Sequence, residues 1–210
     1  MEKFTTLTAI AAPLLRENID TDIIIRIDRL VGATSRSALG RYAFEAWRYR
    51  ADGSEAPDFI LNREPYRQAR ILIAGRNFGC GSSREAAVWA LAQMGFRAVL
   101  APSFGDIFFN NCFQNGVLPV AMDQAAIQAI AQQVEADPER RKVTVDLLRA
   151  VVVAPDGTET AFRIDGLRRE ALIEGLDDIG LTAKRGDEIA QFQAQDRARR
   201  PWIYAVETAP

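Results

Sequence analysis

Hydrophobic residues along the chain alternate between short apolar runs and longer stretches with helical spacing. Three short runs, bounded by glycine or polar residues, predict buried strands at residues 69–74, 96–101 and 117–121. Residues 84–94, closed by Gly95, have the pattern of a helix, and residues 102–111 predict a loop followed by a second helix. This strand–helix alternation predicts an α/β layered core with some parallel pairing.

The C-terminal half has a different pattern. Residues 123–136 form an amphipathic helical stretch, and two strand-like segments, 142–153 and 159–164, flank a hairpin signal at residues 155–157. Helices are predicted at 167–175 and 185–197, with a loop at 175–182 between them and a solvated basic end at 197–202. No linker divides the chain, so we expect a single domain over residues 1–210.

Composition narrows the class of protein. The 210 residues are 48% hydrophobic and 26% charged, as in a soluble globular protein, and the net charge of −2 argues against a nucleic-acid binder. Nothing approaches the roughly 20 apolar residues of a membrane span, and the N-terminus lacks the apolar core of a signal peptide. With only two cysteines, the chain is expected to be a cytoplasmic protein with reduced thiols.

The absence of histidine constrains the chemistry. Histidine is the side chain most often used for acid–base catalysis near neutral pH, and it is a very common metal ligand. With no histidine and two distant cysteines, no metal or iron–sulfur site of its own is expected. If the chain is part of an enzyme, another chain is expected to complete the site.

The segment 77–85, Asn-Phe-Gly-Cys-Gly-Ser-Ser-Arg-Glu, carries the candidate chemistry. Its two glycines permit positive φ and close approach of a ligand to the backbone. Ser82 and Ser83 follow at the expected start of a helix, where free N–H groups favour an anion, and Arg84 offers a planar fork for a carboxylate. Together they predict a carboxylate cradle.

Other interpretations of this segment remain open. It could be an ordinary strand–helix turn in which Ser82 and Glu85 form a capping box, or Glu85 could hold Arg84. The glycine spacing matches neither a P-loop nor a dinucleotide-binding fingerprint. Cys80 as a nucleophile is a weaker alternative, which would need the helix N-terminus to lower its pKa.

Segment 77–85 closely resembles the signature of the 3-isopropylmalate dehydratase small subunits, members of the aconitase family. The resemblance continues in the same order through four further blocks, at residues 18–24, 101–108, 115–119 and 175–182. It implies an α/β fold, the swivelling β/β/α domain like the mobile C-terminal domain of aconitase. It also implies a heterodimeric hydro-lyase of leucine biosynthesis, interconverting 2- and 3-isopropylmalate, in which the [4Fe–4S] cluster and most acid–base histidines lie on the large subunit.

The same resemblance implies roles for individual residues. Ser82 would be the catalytic base, acting as an alkoxide, and Ser83 and Arg84 would bind a substrate carboxylate. A serine alkoxide needs nearby positive charge and N–H donors, which the helix start and Arg84 could supply.

Arg36 lies where the family places a second carboxylate-binding arginine, on a specificity loop. Asp20 and Asp22 match the family's Asp-Thr-Asp, and Glu85 matches the acidic residue of the signature. These three residues would orient the site. A simple capping turn is the alternative role for the two aspartates.

The chain departs from the family pattern beside this site. Ala86 and Val88 replace the usual histidine and proline, and Arg26 and Ile27 replace a proline and a lysine. Three interpretations follow: an isopropylmalate isomerase subunit, a paralogue for a related diacid of the methylmalate, dimethylmalate or maleate type, or a non-catalytic partner-binding subunit.

Overall fold

The computed structural model describes residues 1–30, 36–82 and 84–204, without the side chains of residues 36 and 37. In these parts of the chain the strands are β1 Thr6–Ala9, β2 Ala11–Leu14, β3 Ile71–Ala74, β4 Ala98–Ala101, β5 Leu118–Ala121, β6 Val143–Asp146, β7 Val151–Val153 and β8 Glu159–Ala161. The α-helices are α1 Thr21–Ile24, α2 Glu45–Arg48, α3 Glu85–Gln93, α4 Asp106–Gln114, α5 Gln124–Ala136, α6 Gly166–Glu174, α7 Asp178–Ala183, α8 Gly186–Arg199 and α9 Pro201–Tyr204. Short 3-10 helices lie at Ile27–Arg29, Arg36–Tyr42, Ile60–Asn62 and Tyr66–Gln68.

A four-stranded parallel sheet, in the order β2-β3-β4-β5, forms the first layer. Its register pairs Ala11 with Ile71, Ile71 with Ala98, and Ala98 with Leu118. Nearly every residue of these strands is buried, because α5 packs across β2, β3 and β4 while α4 packs on β5 and α3. The predicted α/β core with parallel pairing is confirmed.

An antiparallel sheet, in the order β1-β6-β7-β8, forms the second layer. The predicted hairpin is present between β7 and β8, where Gly157 has a φ of 87° and the N–H of Ala154 donates to the carbonyl of Thr158 at 2.9 Å. The expectation of one strand over residues 142–153 is wrong, because a turn with Ala150 at a φ of 54° divides it into the antiparallel pair β6 and β7.

The C-terminal segment is more helical than expected. The predicted loop at 175–182 contains α7, whose N-cap Asp177 accepts a hydrogen bond from the N–H of Gly180 at 2.7 Å. The predicted solvated end contains α9, although most of its residues are exposed as expected. Gly175, in the left-handed conformation with a φ of 74°, ends α6 as the helix pattern requires.

Candidate functional site

The loops that follow β2 and β3 meet at the carboxyl edge of the parallel sheet. The N–H of Gly79 donates to the carbonyl of Ile19 at 2.7 Å, and the N–H of Thr21 donates to the carbonyl of Cys80 at 3.0 Å. The backbone of the 77–85 segment is therefore held against the Asp20-Thr21-Asp22 block. Two segments that the sequence separates by about sixty residues form one surface.

The loop after β4 lies against the other side of the same turn. The N–H of Phe78 donates to the carbonyl of Ser103 at 3.0 Å, and the N–H of Gly105 donates to the carbonyl of Phe78 at 2.9 Å. Gly79 has a φ of 71°, and a Cβ built on it would lie 2.2 Å from the Cγ atom of Phe108. The turn therefore requires glycine at position 79 for both its backbone conformation and its packing.

Two asparagines in left-handed conformations connect the first two loops. Asn18 has a φ of 55° and Asn77 a φ of 58°, and the Nδ2 of Asn77 donates to the Oδ1 of Asn18 at 2.9 Å. The N–H of Asn77 also donates to the Oγ of Ser103 at 2.9 Å. Sequence reasoning did not assign these residues to the site. The signal that could have found them is that each asparagine opens one of the two matching blocks.

The serines and the helix start are arranged differently from the expectation. Ser82 is exposed, whereas Ser83 lies outside the described residues. Helix α3 begins at Glu85 with Arg84 as its N-cap, and the Arg84 side chain makes no capping hydrogen bond there. The predicted capping box between Ser82 and Glu85 is wrong, because Ser82 lies before the N-cap position.

Arg84 forms an ion pair with Asp22 through its Nη1 atom. The arginine side chain is 19% exposed and the aspartate side chain 50% exposed, so the pair lies at the edge of the surface rather than in the core. Asp22 belongs to α1, and the N-cap of this short helix is Asp20, whose Oδ1 accepts from the N–H of Ile23 at 2.7 Å. Asp20 thus fixes the helix that presents Asp22 to Arg84.

Glu85 does not hold Arg84. Its Oε1 accepts a hydrogen bond from the Nδ2 of Asn115 at 3.1 Å, and the Oδ1 of Asn115 accepts one from the Nε1 of Trp89 at 2.9 Å. Asn115 also donates to the carbonyl of Asn111 at 2.8 Å. The amide of Asn115 therefore joins the first turns of α3 to the end of α4, a link that sequence reasoning missed.

Arg36 is the first residue of a 3-10 helix, and its side chain lies outside the described parts of the structure. The later residues of that 3-10 helix are fixed to α3, since the N–H of Gly40 donates to the Oε1 of Gln93 at 3.0 Å. The carbonyl of Gly40 accepts from the Nη1 of Arg48 at 3.1 Å. The structure brings Ser82, Arg84 and Asp22 to one edge of the sheet, but it does not place the guanidinium of Arg36.

The four residues that depart from the family pattern lie in two places, inside helix α3 and at residues 26–27. Ala86 and Val88 are buried in α3, so these two positions face the interior of the subunit. Arg26 forms a bidentate ion pair with Asp28, with both distances 3.0 Å, and Ile27 is exposed.

The two cysteines do not provide an activated nucleophile or a cluster site. Burial and the negative charge of Asp20 raise the pKa of the Cys80 thiol, so the proposed lowering by a helix N-terminus is wrong. Cys112 is fully buried in α4, which raises its thiol pKa well above the usual range. Among the described residues, no group of three or more His, Cys, Asp or Glu side chains could hold a metal ion. The chain's own donor set therefore does not fit an iron–sulfur cluster, which needs several cysteine thiolates.

This fold and site define a class of protein. A family model for the aconitase C-terminal domain matches residues 1–125, which include both site loops and the parallel sheet. A second model, for the C-terminal domain of 3-isopropylmalate dehydratase small subunits, matches residues 178–206.

Similar proteins specify the family further. The 3-isopropylmalate dehydratase small subunit of Gluconacetobacter diazotrophicus is 55% identical, over 96% of this chain and 97% of its own. That of Rhodospirillum rubrum is 50% identical over 97% of each chain. The crystal structure of 3-isopropylmalate dehydratase (LeuD) from Methanocaldococcus jannaschii matches with a TM-score of 0.64 and 25% identity, covering 89% of this chain and 98% of that one. The chain belongs to the family of 3-isopropylmalate dehydratase small subunits, and the resemblance noted from its motifs is confirmed.

Within the parts of the chain that the structure describes, no helix is long and apolar enough to cross a bilayer.

Proposed function

We propose that this chain is the small subunit of a cytoplasmic hydro-lyase that interconverts 2-isopropylmalate and 3-isopropylmalate in leucine biosynthesis, with residues 1–210 acting as one swivelling domain. The observation that carries the proposal is the edge of the parallel sheet, where an exposed Ser82 precedes Arg84 and Asp22 holds that arginine. A hydroxy-dicarboxylate needs both a fixed cation for its carboxylate and a base for its carbon-bound proton. This edge offers one candidate for each.

In this proposal Ser82 takes the proton from carbon as an alkoxide. An alkoxide forms only where positive charge and N–H donors stabilise it, and the Arg84 guanidinium is the neighbouring cation. Ser83, Arg84 and Arg36 bind the substrate carboxylates. Asp22 orients Arg84, because its carboxylate already forms an ion pair with that side chain.

The remaining site residues act at a distance from substrate. Asp20 positions α1, since its carboxylate caps that helix. Glu85 positions the first turn of α3 through its hydrogen bond with Asn115. Both are positioning residues in this account, because each acts by fixing a helix end beside the site rather than by binding substrate.

The rest of the chemistry belongs to a large subunit in a hetero-oligomer. The chain has no histidine, and its two cysteines do not fit a cluster. We place the [4Fe–4S] cluster on the large subunit, where it would supply a Lewis acid for the substrate hydroxyl. The small-subunit names of the relatives support this division.

The buried changes at Ala86 and Val88 are the observation that keeps a paralogue for a related diacid as the second candidate. The experiment is co-expression with the large subunit, anaerobic cluster reconstitution, and measurement of kcat/KM for hydration of 2-isopropylmaleate, citraconate, dimethylmaleate and maleate. We expect 2-isopropylmaleate to have the highest value, with no turnover by the large subunit alone. A preference for another diacid would establish the paralogue, and a cluster-replete complex inactive on all four would leave only a non-catalytic role.

A further inference from the structure

The two loops that form the candidate site leave the parallel sheet and pair again beyond it. Strands β2 and β3 end with Leu14 opposite Ala74, and a parallel bridge joins Asp20 with Cys80 further along the same two segments. The offset between partners is the same in both pairs, so the loops resume the register of the sheet after an interruption. The interrupted stretch therefore has to keep the two loops aligned.

Asn18 and Asn77 lie within this interruption and face each other. The N–H of Asn18 donates to the carbonyl of Arg76 at 2.9 Å, and the Nδ2 of Asn77 donates to the Oδ1 of Asn18 at 2.9 Å. The first bond uses backbone groups that nearly every residue type has. The second bond requires a side chain with a donor on one loop and a side chain with an acceptor on the other.

The backbone of both asparagines is left-handed, with φ values of 55° at Asn18 and 58° at Asn77. Glycine adopts this conformation at the lowest cost, and asparagine is among the few other residues that tolerate it. Glycine would therefore serve the two turns, and what asparagine adds is the amide that crosses between the loops. Residues held in such sparsely populated conformations cluster at functional sites.

Beyond the asparagines the loops stay paired as far as the Arg84–Asp22 ion pair. The N–H groups of Gly79 and Thr21 each donate to a carbonyl of the opposite loop, at 2.7 Å and 3.0 Å. Asp22 follows on one loop and Arg84 on the other. The position of the carboxylate relative to the guanidinium therefore depends on how the two loops are aligned.

We propose that Asn18 and Asn77 are a positioning pair for the reaction, whose amide–amide bond keeps Asp22 in place to orient Arg84 on the substrate carboxylate. Neither asparagine touches substrate in this account, and both act through the alignment of the loops. The inference rests on the proposed function, because it presumes that Arg84 binds substrate. The bond is exposed to solvent, so its loss removes little folding stability, and an effect on activity can be separated from an effect on folding.

The first test is Asn77→Gly, which removes the amide and keeps the backbone conformation. Ser82 shares a loop with Arg84, whereas Asp22 lies on the other loop, so misalignment should disturb carboxylate binding more than proton transfer. We expect KM for isopropylmalate to rise about fivefold in the reconstituted complex, with kcat within about twofold of wild type. A loss of folded protein would instead lower the apparent kcat at an unchanged KM, and that result, like an unchanged KM and kcat, overturns the inference.

Two further variants separate the amide bond from the backbone. Asn18→Asp keeps an acceptor for the Nδ2 of Asn77 and tolerates the left-handed conformation, so KM should stay near the wild-type value. A rise in KM as large as that of Asn77→Gly would show that the bond is not what matters. Ala150→Gly is the matched control for placing glycine at a left-handed position, since Ala150 has a φ of 54° in the turn between β6 and β7. It should leave KM and kcat unchanged.

The double variant Asn18→Gly/Asn77→Gly tests whether the two residues act as a pair. Each single change to glycine breaks the same bond, so the double variant should raise KM no further than either single variant does. Effects that multiply would show that the two asparagines act separately, which contradicts the inference.

Hydrogen–deuterium exchange of the full chain without its partner separates the inference from the proposed function. In Asn77→Gly we expect the N–H groups of Gly79 and Thr21 to exchange about tenfold faster, while those of β3 and β4 are unchanged. Unchanged exchange at the two loop positions overturns the alignment role. A wild-type complex that does not turn over isopropylmalate contradicts the proposed function alone, and the exchange rates then decide whether the pair aligns the loops.

Discussion

At the scale of single residues, Gly79 is where backbone conformation and packing act together. Gly79→Ala introduces a Cβ at positive φ and against the Phe108 ring, so we expect the free energy of unfolding to fall by about 3 kcal/mol. Gly157→Ala is the matched control, with a φ of 87° and open space around the added Cβ, and should cost only about 1 kcal/mol. Urea denaturation of both variants measures the difference, and equal losses would contradict the packing argument.

Arg84 is the residue whose geometry matters more than its charge. Arg84→Lys keeps the cation but loses the planar fork, so we expect KM for isopropylmalate to rise about tenfold with a smaller change in kcat. Arg76→Lys is the matched control, because Arg76 is exposed and its ion pair with Glu17 is long, at 4.0 Å. Steady-state kinetics of the reconstituted complex measures KM and kcat for both variants. An unchanged KM for the Arg84 variant would rule out the carboxylate contact.

Cys80 gives a prediction about pH. Burial and Asp20 raise the pKa of its thiol, so less thiolate is present at any given pH than for an unperturbed cysteine. Alkylation by iodoacetamide should therefore be slow at pH 7.5 and should rise with pH along a curve displaced to higher pH than that of a small reference thiol. Cys112, fully buried, should react only after unfolding. Rapid alkylation of Cys80 at neutral pH would contradict this account and reopen the nucleophile alternative.

At the scale of elements, Asn115 connects α3 with the end of α4. Asn115→Ala removes its bonds to Glu85 and Trp89, so we expect a loss of about 2 kcal/mol in the free energy of unfolding. Gln114→Ala is the control, because Gln114 makes one exposed hydrogen bond of 3.3 Å to Asp178. Thermal and urea unfolding of the two variants provide the comparison. Equal stability of the two would show that the amide link contributes nothing.

The elements that the sequence predicted well are those with strong local patterns. Strands β3, β4 and β5 and helices α3 and α5 fall within the expected segments, because apolar runs and helical spacing are local signals. Strands β1 and β2 were not predicted, and β2 contains Pro13, a residue that counts against a strand prediction. Their partners β6 and β3 lie far along the chain, so pairing depends on tertiary structure.

Local sequence pattern alone predicted only the central segment of the candidate site, and the family resemblance added Asp20 and Asp22. The glycine and serine pattern identified the turn at 77–85, but the contacts that fix it come from residues distant in sequence. Asn18 is 59 positions from Asn77, and Ser103 is 26 positions from it. Local spacing carries no information on such contacts, and it also suggested a capping box that tertiary pairing of Glu85 with Asn115 replaces.

At the scale of the whole molecule, the structure presents a candidate site that, in the proposed function, a large subunit completes. The carboxyl edge of the parallel sheet carries Ser82 and the Arg84–Asp22 pair. The lack of histidine and of a cluster site in the chain is consistent with this division of the chemistry between two subunits.

The most direct test of the account is the rate of the Ser82→Ala variant in the reconstituted complex with the large subunit. A general base contributes roughly 10²–10⁴-fold to a rate, so we expect turnover of isopropylmalate to fall by about a thousandfold while subunit association is unchanged. Ser54→Ala, which alters a surface serine hydrogen-bonded to Asp52, should retain the wild-type rate. A Ser82→Ala complex that turns over at a near-normal rate would show that the 77–85 segment does not supply the base.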